Sequence, residues 1–92
     1  MTYELDARNM GRRRVHDYLI DHLPMPDYYG RNLDALYDVL TEMEDVTLRI
    51  GHADQAPVSF ASVRRVLTDA AADNPDLTVE FVEGDSKTTG EP

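Results

Sequence analysis

Apolar residues recur along this 92-residue chain with two different spacings, and each spacing predicts one kind of element. Strand spacing occurs over residues 2–6, where Tyr3 and Leu5 alternate with polar neighbours. Residues 46–50 and 77–82 are short, apolar and rich in β-branched side chains, which favours buried strands. The pattern therefore predicts three strands.

Helical spacing marks three further segments, in which apolar residues lie three or four positions apart. These residues are Val15, Tyr18, Leu19 and Leu23 in the first segment, Leu33, Leu36, Tyr37 and Leu40 in the second, and Phe60, Val63, Val66, Leu67, Ala70 and Ala71 in the third. Pro24 and Pro26 are predicted to end the first helix, and Asn32 to cap the second. The third is predicted to end near Asn74 and Pro75.

The predicted order is strand, helix, helix, strand, helix, strand. Strands joined through helices pair in parallel by right-handed crossovers. We therefore expect an α/β fold, a three-stranded parallel sheet covered by helices, as one domain over residues 1–83. Residues 52–57 are predicted to form a loop or a short irregular turn. Residues 84–92 contain no apolar side chain and are predicted to form a mobile tail.

The net charge of the chain limits the classes of molecule that it can bind. Nine Lys and Arg residues stand against 18 Asp and Glu residues, for a net charge of −9. Such a chain repels nucleic acid and anionic membranes but attracts basic proteins. It contains no cysteine for disulfides or thiolate metal sites, and no apolar stretch of the roughly 20 residues that a membrane span needs. We expect a cytoplasmic protein, monomeric when free, without a cofactor.

The second predicted helix carries a row of acids on one face. Asp34 and Asp38 are four residues apart and project from the same side, and Glu42 extends the row by one turn. Like charges at this spacing destabilise a helix by roughly 0.2–0.5 kcal/mol per pair. No Lys or Arg follows at i+4, which leaves Arg31 as the local candidate for a counter-charge. The row is interpreted either as a solvated face or as a binding surface for a positively charged partner.

Two adjacent tyrosines, Tyr28 and Tyr29, precede this helix in a loop between Pro26 and Gly30. Neighbouring side chains in an extended segment point in opposite directions. One ring is therefore expected to pack into the core and the other to be exposed. An exposed tyrosine beside a charged surface is typical of a protein-binding site.

Residues 26–41 read PDYYGRNLDALYDVLT and resemble the barstar signature PEYYGENLDALWDCLT almost residue for residue. Barstars are intracellular inhibitors of a secreted ribonuclease. The order of predicted elements is similar over most of the chain, although the likeness weakens over residues 52–57 and excludes the tail. The resemblance implies a barstar-like fold and a 1:1 complex with a secreted microbial ribonuclease of the guanyl type. The acidic helix would block its active site by mimicking substrate phosphates.

The resemblance also implies which residues contact the enzyme. Asp38 matches the aspartate that enters the phosphate-binding site, and Asp34 matches a second interface aspartate. Tyr28 matches a tyrosine that packs on the active-site histidine, and Asp69 falls by spacing where barstar has a further interface glutamate. The predicted partner-binding residues are Tyr28, Tyr29, Gly30, Asn32, Leu33, Asp34, Tyr37, Asp38, Glu42 and Asp69.

Apart from the conservative Asp27 in place of a Glu, four positions depart from the barstar pattern. Arg31 replaces a Glu, Tyr37 and Met43 each replace a Trp, and Val39 replaces a Cys. Tyr37 retains an aromatic body, and Val39 is expected to remain a small buried group. Arg31 and Met43 alter the rim of the binding face. The identity of the target ribonuclease is therefore left open, as is the question whether Met43, Glu44 and Asp45 contribute to the interface.

Other chemistries are weaker interpretations of these residues. Acids in one helical row do not encircle Mg²⁺ or Ca²⁺, and no metal site is predicted. His16, His22 and His52 show no nucleophile–base arrangement and are interpreted as surface or helix-end residues. The basic cluster at residues 12–14 is interpreted as a solvated face. We therefore predict a binding protein rather than an enzyme: a ribonuclease inhibitor or, alternatively, a barstar-like acidic module that binds another basic protein.

Overall fold

The computed structural model describes residues 1–11 and 14–84 of the chain. Its elements, in chain order, are β1 Thr2–Asp6, a 3-10 turn at Ala7–Asn9, α1 Arg14–His22, α2 Leu33–Thr41, β2 Val46–Gly51, a 3-10 turn at Ala53–Gln55, α3 Phe60–Asp73 and β3 Leu77–Phe81. These strands and helices confirm the order predicted from the hydrophobic pattern. The 3-10 turn at Ala53–Gln55 lies in the segment predicted as a loop or short irregular turn, whereas the turn at Ala7–Asn9 was not predicted.

The central strand of the sheet is β2, which pairs in parallel with β1 on one side and β3 on the other. The chain passes from β1 to β2 through α1 and α2, and from β2 to β3 through α3. The register aligns Leu5 with Ile50, and Ile50 with Phe81. This arrangement confirms the predicted α/β fold with a three-stranded parallel sheet.

The two faces of the sheet differ in polarity. Leu48 and Ile50 of the central strand are fully buried in the core that the sheet shares with the helices. The opposite side, here called the polar sheet face, aligns Glu4, Arg49 and Glu80 side by side across the three strands. Parallel sheets are usually covered on both faces, whereas this core lies on one. Only one face therefore needs apolar residues. Apolar and polar residues alternate along the strands, as they do in a sheet with one exposed face.

Specific hydrogen bonds define both ends of α2. The Asn32 side chain accepts a hydrogen bond from the Ala35 backbone N–H at 2.7 Å, which confirms the predicted N-cap. At the other end, the buried Asn74 amide donates to the backbone oxygens of Leu40 at 3.0 Å and Met43 at 2.8 Å. Asn74 thereby joins the end of α2 to the turn between α3 and β3, and it satisfies carbonyls that a helix end leaves unpaired.

Two sequence predictions fall partly outside the described residues. Of the predicted tail, only Gly84 is described, and its carbonyl accepts a hydrogen bond from the His52 backbone N–H at 2.6 Å. The fold therefore includes the first residue assigned to the tail. Residues 85–92, together with Arg12 and Arg13 of the basic cluster, lie outside the described residues, so those predictions stay predictions.

Candidate functional site

The α2 helix separates core residues from acids on opposite sides. Leu36 and Leu40 are completely buried, whereas Asp34, Asp38 and Glu42 are exposed. The apolar stripe needs no acid for its packing, because leucines alone supply the buried contacts of this helix. The predicted acidic row is therefore present on the surface.

A second helix contributes acids to the same surface. α3 packs beside α2, and the Tyr37 hydroxyl of α2 donates a hydrogen bond to the Asp73 carboxylate of α3. This hydrogen bond raises the pKa of Tyr37, and the nearby charges of Asp69 and Asp38 act in the same direction. The structure thus brings Asp38, Asp69 and Asp73 around one tyrosine. With Asp34, these residues form what we call the acidic face.

Asp73 was missed in the sequence analysis, although a usable signal was present. Asp69 and Asp73 are four residues apart in a predicted helix, the same spacing as Asp34 and Asp38. What sequence alone does not supply is the side-by-side packing of the two helices. Among the described ion pairs, Arg65 reaches the acidic face with a 4.0 Å approach to Asp69, and both side chains are largely exposed. Such a pair compensates little of the negative charge.

The two adjacent tyrosines have opposite environments. Tyr28 is 82% exposed, whereas Tyr29 is 8% exposed and belongs to the core. The Tyr29 hydroxyl lies 2.6 Å from His16 Nδ1 of α1, and burial raises the pKa of Tyr29 to about 12. The expectation that one ring packs inward and the other outward is confirmed. Because its ring is in the core, Tyr29 holds the loop in place, and we no longer count its side chain among the surface contacts.

The segment between the tyrosines and α2 is held by short-range contacts. The Asn32 side-chain amide donates to the Gly30 carbonyl at 3.2 Å. A Cβ at Gly30 would lie 3.2 Å from that amide and 3.4 Å from the Ala35 Cβ, so a larger residue would push against the cap of α2. Leu33 is half-buried at the first position of the helix. The backbone near Gly30 is therefore both ordered and accessible, as a contact loop requires.

Arg31 pairs with a different acid from the one considered in the sequence analysis. Its guanidinium lies 3.1 Å from a carboxylate oxygen of Asp17 on α1, in an exposed ion pair. The residue adopts a left-handed backbone conformation with φ 56°, which turns the chain into α2. Because Arg31 is directed towards α1, the carboxylate of Asp34 stays available to a partner.

Three further sequence predictions need correction or refinement. His16 is half-buried against Tyr29 and His52 is half-buried in a left-handed conformation, so neither is a plain surface residue. His22 is exposed at the end of α1, as predicted. Val39 was expected to be buried and is partly buried: it packs against the core but keeps some exposure, because its position on α2 lies between the core stripe and the acidic row.

The exposed carboxylates and the exposed Tyr28 ring form a surface suited to binding. Within residues 1–11 and 14–84, no cluster of three or more His, Asp or Glu side chains is placed to hold a metal ion. No helix in this part of the chain is long and apolar enough to cross a membrane. An exposed carboxylate surface bordered by an exposed aromatic ring is suited to a positively charged protein surface.

Comparison with known proteins agrees with this geometry. Residues 1–82 match the family model described as Barstar (barnase inhibitor). A segment of 47 residues is 51% identical to YrdF of Bacillus subtilis (strain 168), which is described as a candidate ribonuclease inhibitor. That match covers 50% of this chain and 52% of YrdF, so the chain aligns with about half the length of this relative. Because the family model spans most of its length, the chain belongs to the barstar family.

Proposed function

We propose that this protein inhibits a secreted microbial ribonuclease of the guanyl type by covering its active site in a 1:1 complex. The observation that supports the proposal most directly is the acidic face on α2 and α3, where four carboxylates lie on one side of the molecule. The exposed ring of Tyr28 lies close to Glu42, which follows Asp38 by one turn of α2. The family description as barnase inhibitors and the description of YrdF point to the same class of function.

The chemistry of the target explains why acids are suited to this task. A ribonuclease gathers cationic side chains around the scissile phosphate, because charge develops there during cleavage. Carboxylates of the inhibitor would occupy the same positions without offering a bond to cleave. Asp38 is assigned the central role, with Asp34 and Asp69 beside it. Tyr28 would stack on a ring or cation at the edge of the cleft.

The binding loop is ordered before the partner arrives. Tyr29 is anchored in the core by its ring and by His16, and Asn32 closes the N-terminus of α2. Gly30 lets the chain pass close to the Asn32 cap, because a Cβ there would lie 3.2 Å from the Asn32 amide. A surface that is already ordered loses less conformational entropy on association, so more of the interaction energy appears as affinity.

The charge of the whole chain would act at longer range. A net charge of −9 attracts a basic enzyme before contact and speeds productive encounter. Salt screens such attraction, with a Debye length of about 10 Å at 0.1 M and about 3 Å at 1 M. We therefore propose fast association that slows as the salt concentration rises.

The proposal is tested by an inhibition assay against a panel of microbial guanyl-type ribonucleases, at low and high salt. Stoichiometric inhibition of at least one enzyme, with association slowed by salt, is the expected result. Salt-independent inhibition would contradict the role of the acidic face. Binding to a basic protein without inhibition of any ribonuclease would favour the alternative, an acidic interaction module. Cleavage of RNA by the purified chain would contradict the assignment as a binding protein.

A further inference from the structure

A second surface feature lies beside the acidic face. An open groove of about 440 Å³ is bounded by Tyr28 on one side and by Val39 and Met43 on the other. Tyr3 and Val46 line it at the amino end of the sheet, so much of the lining is apolar. Val39 and Met43 pack against the edge of the core but remain partly exposed, so they present apolar surface to the groove. This groove is distinct from the row of aspartates.

The rim of the groove is acidic. Glu42 and Glu44 line it, and both are exposed. No Lys or Arg side chain lines it in the described part of the chain. The Met1 amino group, at the same end of the sheet, donates to the Asp45 backbone oxygen at 2.7 Å. An apolar floor with carboxylates at its edge matches a side chain that has an aliphatic stem and a cationic end.

The groove is continuous with the proposed binding surface. Tyr28 and Glu42 line the groove, and Glu42 lies four residues after Asp38, one turn further along the same side of α2. A protein that covers Asp38 and Tyr28 therefore extends over the groove as well. The exposed Tyr28 ring also offers its face to a cation within about 6 Å of the ring centre.

We propose that this groove receives a lysine or arginine side chain from the same ribonuclease and so contributes to the choice of target. The stem lies on Val39 and Met43, and the cationic group lies between Glu42, Glu44 and the ring of Tyr28. The inference rests on the proposed function, because the occupant belongs to the inhibited enzyme. It assigns binding roles to Met43 and Glu44, which the sequence analysis left open.

The test uses a ribonuclease that the wild-type protein inhibits in the panel assay, at fixed ionic strength. The double variant Glu42→Gln/Glu44→Gln removes the acidic rim and keeps the side-chain shape. The matched control is Asp54→Asn/Glu83→Gln, which removes two exposed charges at the opposite, carboxyl end of the sheet. We expect the inhibition constant to rise about tenfold for the rim variant and at most about twofold for the control.

A second variant tests the apolar floor. Met43→Lys places a competing cation in the groove, and we expect it to weaken inhibition at least as much as loss of the rim charges. Thermal unfolding of each variant separates this effect from loss of the fold. Replacing each exposed Lys and Arg near the enzyme's cleft with Ala then identifies the occupant, because its removal makes the rim variant and the wild type inhibit equally.

The outcomes distinguish this inference from the proposed function. If the rim variant matches its control while Asp38→Asn loses inhibition, the groove proposal is overturned and the inhibitor function stands. The same conclusion follows if no Lys or Arg of the enzyme couples to the rim. If the wild-type chain inhibits no ribonuclease in the panel, both proposals are overturned.

Discussion

The acidic face and the polar sheet face both carry charged residues, but the charges on the two faces have different neighbours. On the polar sheet face, Arg49 lies between Glu4 and Glu80 in register and approaches Glu80 to 3.3 Å. On the acidic face, Asp38 and Asp73 lie near one another around Tyr37. Charges that are paired within the fold leave little to offer a partner. On the acidic face, the Arg65–Asp69 contact at 4.0 Å is the ion pair found among the described residues. This weak compensation is what we expect if, as proposed, the compensating charges come from another molecule.

The largest expected effect comes from removing one carboxylate from each face. Asp38→Asn should weaken inhibition by about 2–5 kcal/mol, the usual cost of removing one partner of a buried charge pair. Close charge pairs in a barstar complex, the example behind such figures, couple by about 1.5–7 kcal/mol. Glu80→Gln should leave inhibition unchanged. Inhibition constants against the enzyme found in the panel measure both effects. Equal effects of the two substitutions would show that overall charge, rather than the acidic face, determines binding.

The next prediction compares substitutions of the two tyrosines in their effects on inhibition and on stability. Tyr28→Ala should weaken inhibition by about 2 kcal/mol, as expected for an exposed aromatic side chain at the centre of an interface, without changing the free energy of unfolding. Tyr29→Phe should leave inhibition nearly unchanged and lower the free energy of unfolding by about 1 kcal/mol, because a buried hydrogen bond to His16 is lost. Urea unfolding and inhibition assays measure the two quantities. The comparison fails if Tyr29→Phe weakens inhibition as strongly as Tyr28→Ala.

A smaller effect is expected from removing the cation Arg49 from the polar sheet face. Arg49→Met keeps the aliphatic stem but leaves Glu4 and Glu80 without the cation between them. The free energy of unfolding should fall by up to about 1 kcal/mol because Glu80 loses its ion pair with Arg49. Inhibition should not improve, although the molecule becomes more acidic. A clear gain in association rate would mean that acids anywhere on the surface serve as well as the acidic face.

The smallest effect concerns the pH dependence of stability. Burial lowers the pKa of His16 below its ordinary value of 6.5, Arg31 acts in the same direction, and Asp17 opposes both. The unfolded chain therefore binds a proton more readily than the folded protein. This contribution to stability is fully present above pH 6.5 and is lost as the pH falls towards the lower pKa of the folded state.

The measurement is urea unfolding at several pH values between about 7 and 5. The free energy of unfolding of the wild type should fall more steeply over this range than that of His16→Gln, which keeps a hydrogen-bonding group beside Tyr29. Parallel curves for the two proteins would show that His16 does not contribute. Inhibition above pH 7 should be similar for both, because His16 supports the loop from within the core.

Much of the fold was determined locally and could be read from sequence. The spacing of apolar residues located the strands and helices because burial requires a period of two in a strand and about 3.6 in a helix. Asn32 was assigned as the cap of α2 because its side chain bonds to a backbone N–H three residues away. Asp34 and Asp38 could also be assigned to one face of α2, because positions four apart in a helix are neighbours wherever that helix packs.

Tertiary structure decided the features that join residues far apart in sequence. Asp38, Asp69 and Asp73 share a surface only because α2 packs beside α3. Tyr29 lies in the core, where its hydroxyl contacts His16 of α1, whereas Tyr28 is exposed. Arg31 is directed towards Asp17 of the same helix. The groove beside Tyr28 forms between a loop, a helix end and the amino end of the sheet. Sequence spacing describes neighbours along one element, whereas these contacts depend on how separate elements pack around a common core.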